Sequence, residues 1–188
     1  MNKTKRAFEL ANMRHDGQKR ADGSPYFQHP LRVMANIMQF KVSEHLDELM
    51  AAALLHDSLE DTYTSFRELE EMFGPMVASI VMECTSSKDT ISRMGKTEYL
   101  KEKMYSMSSY ALTVKLADRL DNVQDLLKFD YTQAKNKVKE TEAILDHVLK
   151  RKDLVHQDGT LTTNANLCKE IRNKLDEWGR LKWVKKNM

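Results

Sequence analysis

The sequence predicts an all-α protein. Three observations carry that reading. Apolar residues recur at i, i+3, i+4 spacing along nearly the whole chain. No run alternates with the period of two that a half-buried strand needs. Three prolines and six glycines in 188 residues leave little material for tight turns.

Taken in order, the first strong stripe is Leu46, Leu49, Met50, Ala53 and Leu54. Ser65 followed by Glu68 reads as a capping box, in which the serine oxygen satisfies an orphan amide of the first turn. The helix it opens runs into Met72 and Phe73 and ends at Gly74–Pro75. Leu116, Leu120, Val123 and Leu127 mark another helix, and Leu167, Ile171, Leu175 and Trp178 a last one. Ser86 to Lys96 and Lys152 to Thr163 are polar and read as loops, the second carrying the turn pair Asp158–Gly159. That second loop divides a body, residues 1–150, from a C-terminal extension, residues 151–188, whose helix is expected to pack back on the body.

Thirty basic against 28 acidic residues leave a formal charge of +2. Nucleic-acid and membrane-surface partners usually demand a larger basic excess, so neither is expected. The basic residues near the ends (Lys3, Lys5 and Arg6; Lys182, Lys185 and Lys186) read as solvated helix termini. Cys84 and Cys168 form no C-x-x-C pair, which points to a reducing compartment. The N-terminal stretch is charged throughout, and the longest apolar run, Met50 to Leu55, cannot span a bilayer. A cytoplasmic protein is expected.

Chemistry concentrates in His29, His56–Asp57, Glu60–Asp61, and Asp118 with Asn122. Asp57 lies seven residues after Met50 and three after Leu54, on the line of their apolar stripe. A carboxylate there needs a partner or a metal to offset its desolvation. Asp118 stands likewise four residues after Val114. Two imidazoles and two carboxylates suit a first-row divalent ion: carboxylates favour Mn²⁺ or Mg²⁺, and imidazoles move the preference toward Mn²⁺, Fe²⁺ or Zn²⁺. Glu60 and Asp61 follow His56 and Asp57 by one helical turn, as Asn122 follows Asp118.

The segments HDGQKRADGSPYFQHP (15–30), AALLHDSLEDT (52–62) and VKLADRLDN (114–122) resemble the hydrolase domain of the RelA/SpoT alarmone enzymes. With no synthetase segment in the sequence, the resemblance is to the small alarmone hydrolases, which include the metazoan SpoT homologue. It spans about residues 7 to 127 and implies an HD-domain helical bundle. It further implies that His29, His56, Asp57 and Asp118 hold one Mn²⁺, and that Glu60 and Asp61 act on the attacking water and the departing phosphate. Asn122 would face the sugar and phosphates, Arg20 pack on the guanine base, and Lys88 lie toward the pyrophosphate. The implied reaction converts ppGpp or pppGpp to GDP or GTP plus pyrophosphate.

Three positions depart from that pattern. Ala21 stands where many members carry a second basic residue, Thr141 or a neighbour where some have a tyrosine, and Asp121 where a histidine or tyrosine often precedes the asparagine. These departures bear on base and phosphate preference. The same site could serve (p)ppApp, NADPH 2′-phosphate or a 5′-nucleotide, and a non-catalytic nucleotide sensor is the reading from another class. His15, Tyr26 and Lys115 also fall inside the motifs, His15 as structural support.

Overall fold

The computed structural model describes residues 2–41 and 43–187, with side chains as far as Leu181. The side chains of Lys182, Lys185 and Lys186 therefore lie outside the described residues. The architecture is all-α. Its helices are α1 (Lys3–Arg14), α2 (Gln28–Phe40), α3 (Leu46–Leu55), α4 (Ser58–Asp61), α5 (Phe66–Phe73), α6 (Pro75–Cys84), α7 (Lys88–Met94), α8 (Lys96–Ser106), α9 (Ser109–Gln124), α10 (Tyr131–Val148) and α11 (Thr163–Asn187). Extended pairing among the described residues is confined to isolated bridges, Lys19 with Pro25 and Val155 with Leu161.

α9 is the central element. It packs on α2, α6 and α11, while α3 is held between α1, α2 and α6. The packing follows the apolar stripes: Leu49, Ala53 and Leu54 of α3, Leu112, Leu116 and Leu120 of α9, and Leu167 and Ile171 of α11 are all buried. Each such leucine contributes roughly 1.5–3 kcal/mol by leaving water. Where α11 begins, Asn164 accepts from Thr113 Oγ1 at 2.7 Å and donates to Ser109 O at 3.0 Å, fastening it to α9.

The capping box at Ser65 is present, its hydroxyl accepting from the Glu68 amide at 3.2 Å. Gly74 then closes α5 and opens α6 with φ +87°, a conformation costly for any residue with a Cβ, and Pro75 takes the first position of α6.

Three local expectations need correction. Ser86 to Lys96 is no continuous loop: Ser87 caps a short helix, α7, by accepting from the Thr90 amide. Side-chain capping here overrides a polar composition that lacks a core-facing stripe. Leu127 is 57% exposed because α9 ends at Gln124, and the following 3₁₀ turn buries Leu126 instead. Asp57 does not continue its helix either. α3 stops at Leu55, and Asp57 stands just before the separate turn α4 without a side-chain cap to it, its side chain half-buried. Among the described residues no helix is long and apolar enough to cross a membrane.

Candidate active site

Four elements converge on one point. α2 supplies His29, the break between α3 and α4 supplies His56 and Asp57, and α9 supplies Asp118. Ligand-capable atoms of His29, His56 and Asp118, all buried, lie within 4.8 Å of one another. Asp57 Oδ2 lies 2.9 Å from His56 Nε2 and 3.9 Å from His29 Nε2.

The hydrogen bonds behind the imidazoles decide what their inner nitrogens can do. His56 Nδ1–H donates to the Ala53 carbonyl at 2.8 Å. His29 Nδ1–H donates to Asp121 Oδ2 at 2.6 Å. Carbonyls and carboxylates only accept, so each ring carries a proton on Nδ1, and Nε2 is the nitrogen that presents a lone pair once it is itself unprotonated. His56 Nε2 is buried and meets Asp57 Oδ2 at 2.9 Å outside hydrogen-bond geometry, and His29 Nε2 faces Asp118 Oδ1 at 3.3 Å. Imidazole nitrogens and carboxylates brought this close offset one another either through a proton or through a bound cation, and the donor set fits a divalent metal.

The surrounding groups prepare that charge pattern. Burial raises the Asp118 pKa, but Lys115 and His29 outweigh it and hold the carboxyl well below the usual range; Lys115 Nζ is 2.7 Å from Asp118 Oδ2. Burial opposes ionisation of Asp57 as well, and His56 and Lys115 together keep its pKa low. Burial works against charge on His29, yet its contacts with Asp118 and Asp121 lift it to about 9 in the metal-free protein. The Tyr26 hydroxyl donates to Asp57 Oδ2, and burial and the Asp57 charge push its pKa up, so it stays a neutral donor.

A cleft of about 350 Å³ opens over His29, Asp57 and Asp118, with Lys19, Arg20, Asn122, Phe129 and Lys137 on its walls. Arg20 is presented by a tight turn in which its amide donates to Ser24 O and Gly23 takes φ +83°. Its guanidinium is engaged by Asp125 at 3.1 Å and Asp121 at 3.5 Å. Asn122 Nδ2 donates to Asp118 Oδ1 at 2.6 Å, steadying that carboxylate.

Glu60, Asp61 and Lys88 are not among the residues lining this cleft. Glu60 Oε2 accepts the Ser86 amide at 2.9 Å. Asp61 is exposed, and partial burial of its carboxyl with the charges of Asp57 and Glu60 pushes its pKa up. Lys88 is exposed at the start of α7, near enough to Asp61 to oppose that rise. Thr141 is buried, its hydroxyl donating to Lys137 O within α10.

Sequence reasoning overlooked Arg32, Asp125 and Lys137, and took Asp121 only as a departure. Asp121 had one available signal, a carboxylate three residues after Asp118 on a helix otherwise apolar on that side.

The fold and the convergence of His29, His56 and Asp118 define an HD-type helical domain whose donor set fits a divalent metal. The HD domain family model matches residues 7–154, and the chain belongs to that family. It is 34% identical over 182 residues to the guanosine-3′,5′-bis(diphosphate) 3′-pyrophosphohydrolase of Aquifex aeolicus, covering 92% of this chain but 23% of that protein. It is 40% identical over 122 residues to the enzyme of the same name from Xenopus tropicalis, covering 64% of this chain and 67% of that one. The chain thus spans about a quarter of the length of the Aquifex protein and about a sixth of the Brucella GTP pyrophosphokinase rsh proteins it also matches. Among solved structures, a metazoan orthologue of SpoT described as hydrolysing ppGpp superposes with a TM-score of 0.77 at 25% identity, over 94% of this chain and 96% of that one.

Proposed function

We propose that this chain hydrolyses the 3′-pyrophosphate of guanosine alarmones, giving GDP from ppGpp or GTP from pppGpp, plus pyrophosphate. One observation carries the reading: two imidazole Nε2 lone pairs and two carboxylates converge at the floor of a cleft whose walls carry Lys19, Arg20 and Lys137. That combination suits a metal-assisted attack on a polyanionic nucleotide. Relatives named as 3′-pyrophosphohydrolases supply the substrate class.

His29, His56, Asp57 and Asp118 would hold the ion, with Mn²⁺ favoured by the mixed nitrogen and oxygen donors. A divalent ion held there supplies Lewis-acid charge beside a phosphoryl oxygen. Lys115 and Asn122 keep Asp118 ionised and oriented. Glu60 and Asp61 take the proton from the attacking water and manage its delivery to the departing 3′-oxygen. Water oxygen bonds to the 3′-phosphorus, the bond to the ribose 3′-oxygen breaks, and that oxygen leaves as the hydroxyl. Lys19 and Lys137 neutralise phosphate charge from the walls, Lys88 assists toward the pyrophosphate, and Arg20 holds the base. Residues 1–150 are assigned to the HD body and 151–188 to an extension whose helix, α11, packs on α9.

Turnover of a panel containing ppGpp, pppGpp, ppApp, NADPH and 5′-nucleotides, with products resolved by anion exchange, tests this. GDP and pyrophosphate from ppGpp are expected in equal amounts. Phosphate release from 5′-nucleotides alone, or no turnover of any member with Mn²⁺, would overturn it.

A further inference from the structure

Asp121 is wholly buried and does not line the cleft. Its Oδ2 receives His29 Nδ1–H at 2.6 Å. Arg32 grips both oxygens, Nε on Oδ1 and Nη2 on Oδ2 at 3.1 Å. A carboxylate held from two sides cannot rotate, so Oδ2 is fixed beneath the imidazole. The arrangement is reciprocal. α2 carries His29 and Arg32 three residues apart, α9 carries Asp118 and Asp121 three residues apart, and the two helices pack face to face. The metal-facing and supporting groups therefore sit on the same rigid helices.

We propose that Asp121 is the positioning residue for the metal-facing nitrogen of His29: it holds the proton on Nδ1 and aims Nε2 at Asp118 and Asp57. His56 has the equivalent service from a backbone carbonyl, which no side-chain change can remove. Among the described residues, Asp121 is thus the side chain that sets a tautomer in this site. An asparagine at 121 can turn its NH₂ toward Nδ1, which lets the proton move to Nε2 and block a cation there. The inference rests on His29 being a ligand, as proposed above.

The experiment is Mn²⁺ binding to the whole chain, read as free Mn²⁺ by EPR, for wild type, Asp121→Asn and Asp125→Asn. Asp125 belongs to the same charged network, meeting Arg20, Arg32 and Lys128, with no contact to His29. Outer partners of ligating histidines typically govern affinity by about 10–100-fold, so Asp121→Asn should weaken Mn²⁺ by that factor and Asp125→Asn by less than about threefold. Equal loss in both variants, or Mn²⁺ affinity unchanged in Asp121→Asn, overturns the inference while leaving the function proposal intact. Failure of wild type to bind Mn²⁺ overturns the function proposal itself. Should Asp121→Asn not fold, ¹⁵N NMR of the Zn²⁺-loaded wild type still decides: His29 must show a protonated Nδ1 and a metal-bound Nε2, and the opposite tautomer refutes the role.

Discussion

Replacing Glu60 and Asp61 by their amides separates chemistry from metal binding. Glu60→Gln keeps an oxygen for the Ser86 amide, now at 2.9 Å from the carboxylate. The loss is the difference between a charge-assisted and a neutral hydrogen bond, about 1 kcal/mol. Asp61→Asn removes a charge that partial burial and the neighbouring Asp57 and Glu60 charges disfavour, the causes of its raised pKa, so its loss is not expected to strain the fold. The two effects oppose one another, and the melting temperature should move by no more than roughly 2–4 °C. Neither residue belongs to the proposed ligand set of His29, His56, Asp57 and Asp118, so bound metal should be unchanged. Acid–base groups contribute about 10²–10⁴ in rate, or roughly 2.7–5.4 kcal/mol of barrier. The double variant should therefore be folded and metal-loaded, and hydrolyse ppGpp at least about a hundredfold more slowly. Stopped-assay kcat, elemental metal content and a thermal melt on one preparation give all three values. A kcat within threefold of wild type, by the same order-of-magnitude standard, would mean that the pair is only a solvated helix end. Loss of metal with activity would make one of the two a ligand.

Saturating Mn²⁺ at about a hundred times its Kd should raise the melting temperature by roughly 5–11 °C, from about 2.7 kcal/mol of linkage, and an unchanged melt in Asp118→Asn would serve as the control. A flat response in wild type contradicts a native-state metal site. His29 titrates near 9 without metal, so a proton competes with the ion below that pH. Mn²⁺ affinity should accordingly rise about tenfold per pH unit from roughly 6.5 to 8.5, and a pH-independent Kd refutes the competition. Arg20→Ala should raise KM for ppGpp and leave metal content unchanged, because Arg20 lines the cleft and Arg32 still pairs with Asp121 and Asp125. Wild-type KM would end the base-binding role. Asn164→Ala strips the polar clasp between α11 and α9 and should cost about 1–3 kcal/mol, lowering the melt cooperatively if residues 151–188 belong to the same unit as the body. A separate early transition would show instead that the extension unfolds alone.

The sequence by itself determined the all-α class and the family, because both are written in local patterns. Stripes such as Leu116, Leu120 and Val123 need only their own helix to declare a buried face. The motifs around His29, His56–Asp57 and Asp118 stay recognisable wherever the chain carries them. Periodicity misled where it assumed a helix continues: α3 breaks before Asp57, and α9 stops short of Leu127. What only the tertiary structure decided is the chemistry of contacts far apart in the chain. The bond from His29 to Asp121 crosses 92 residues, and that from Glu60 to the Ser86 amide crosses 26. A residue's type fixes its pKa range and donor count, but which proton it holds depends on the partner brought to it. Asp121 reads in sequence as a mismatch, and in the fold it is the carboxylate beneath the His29 imidazole, because α2 and α9 pack together at that point.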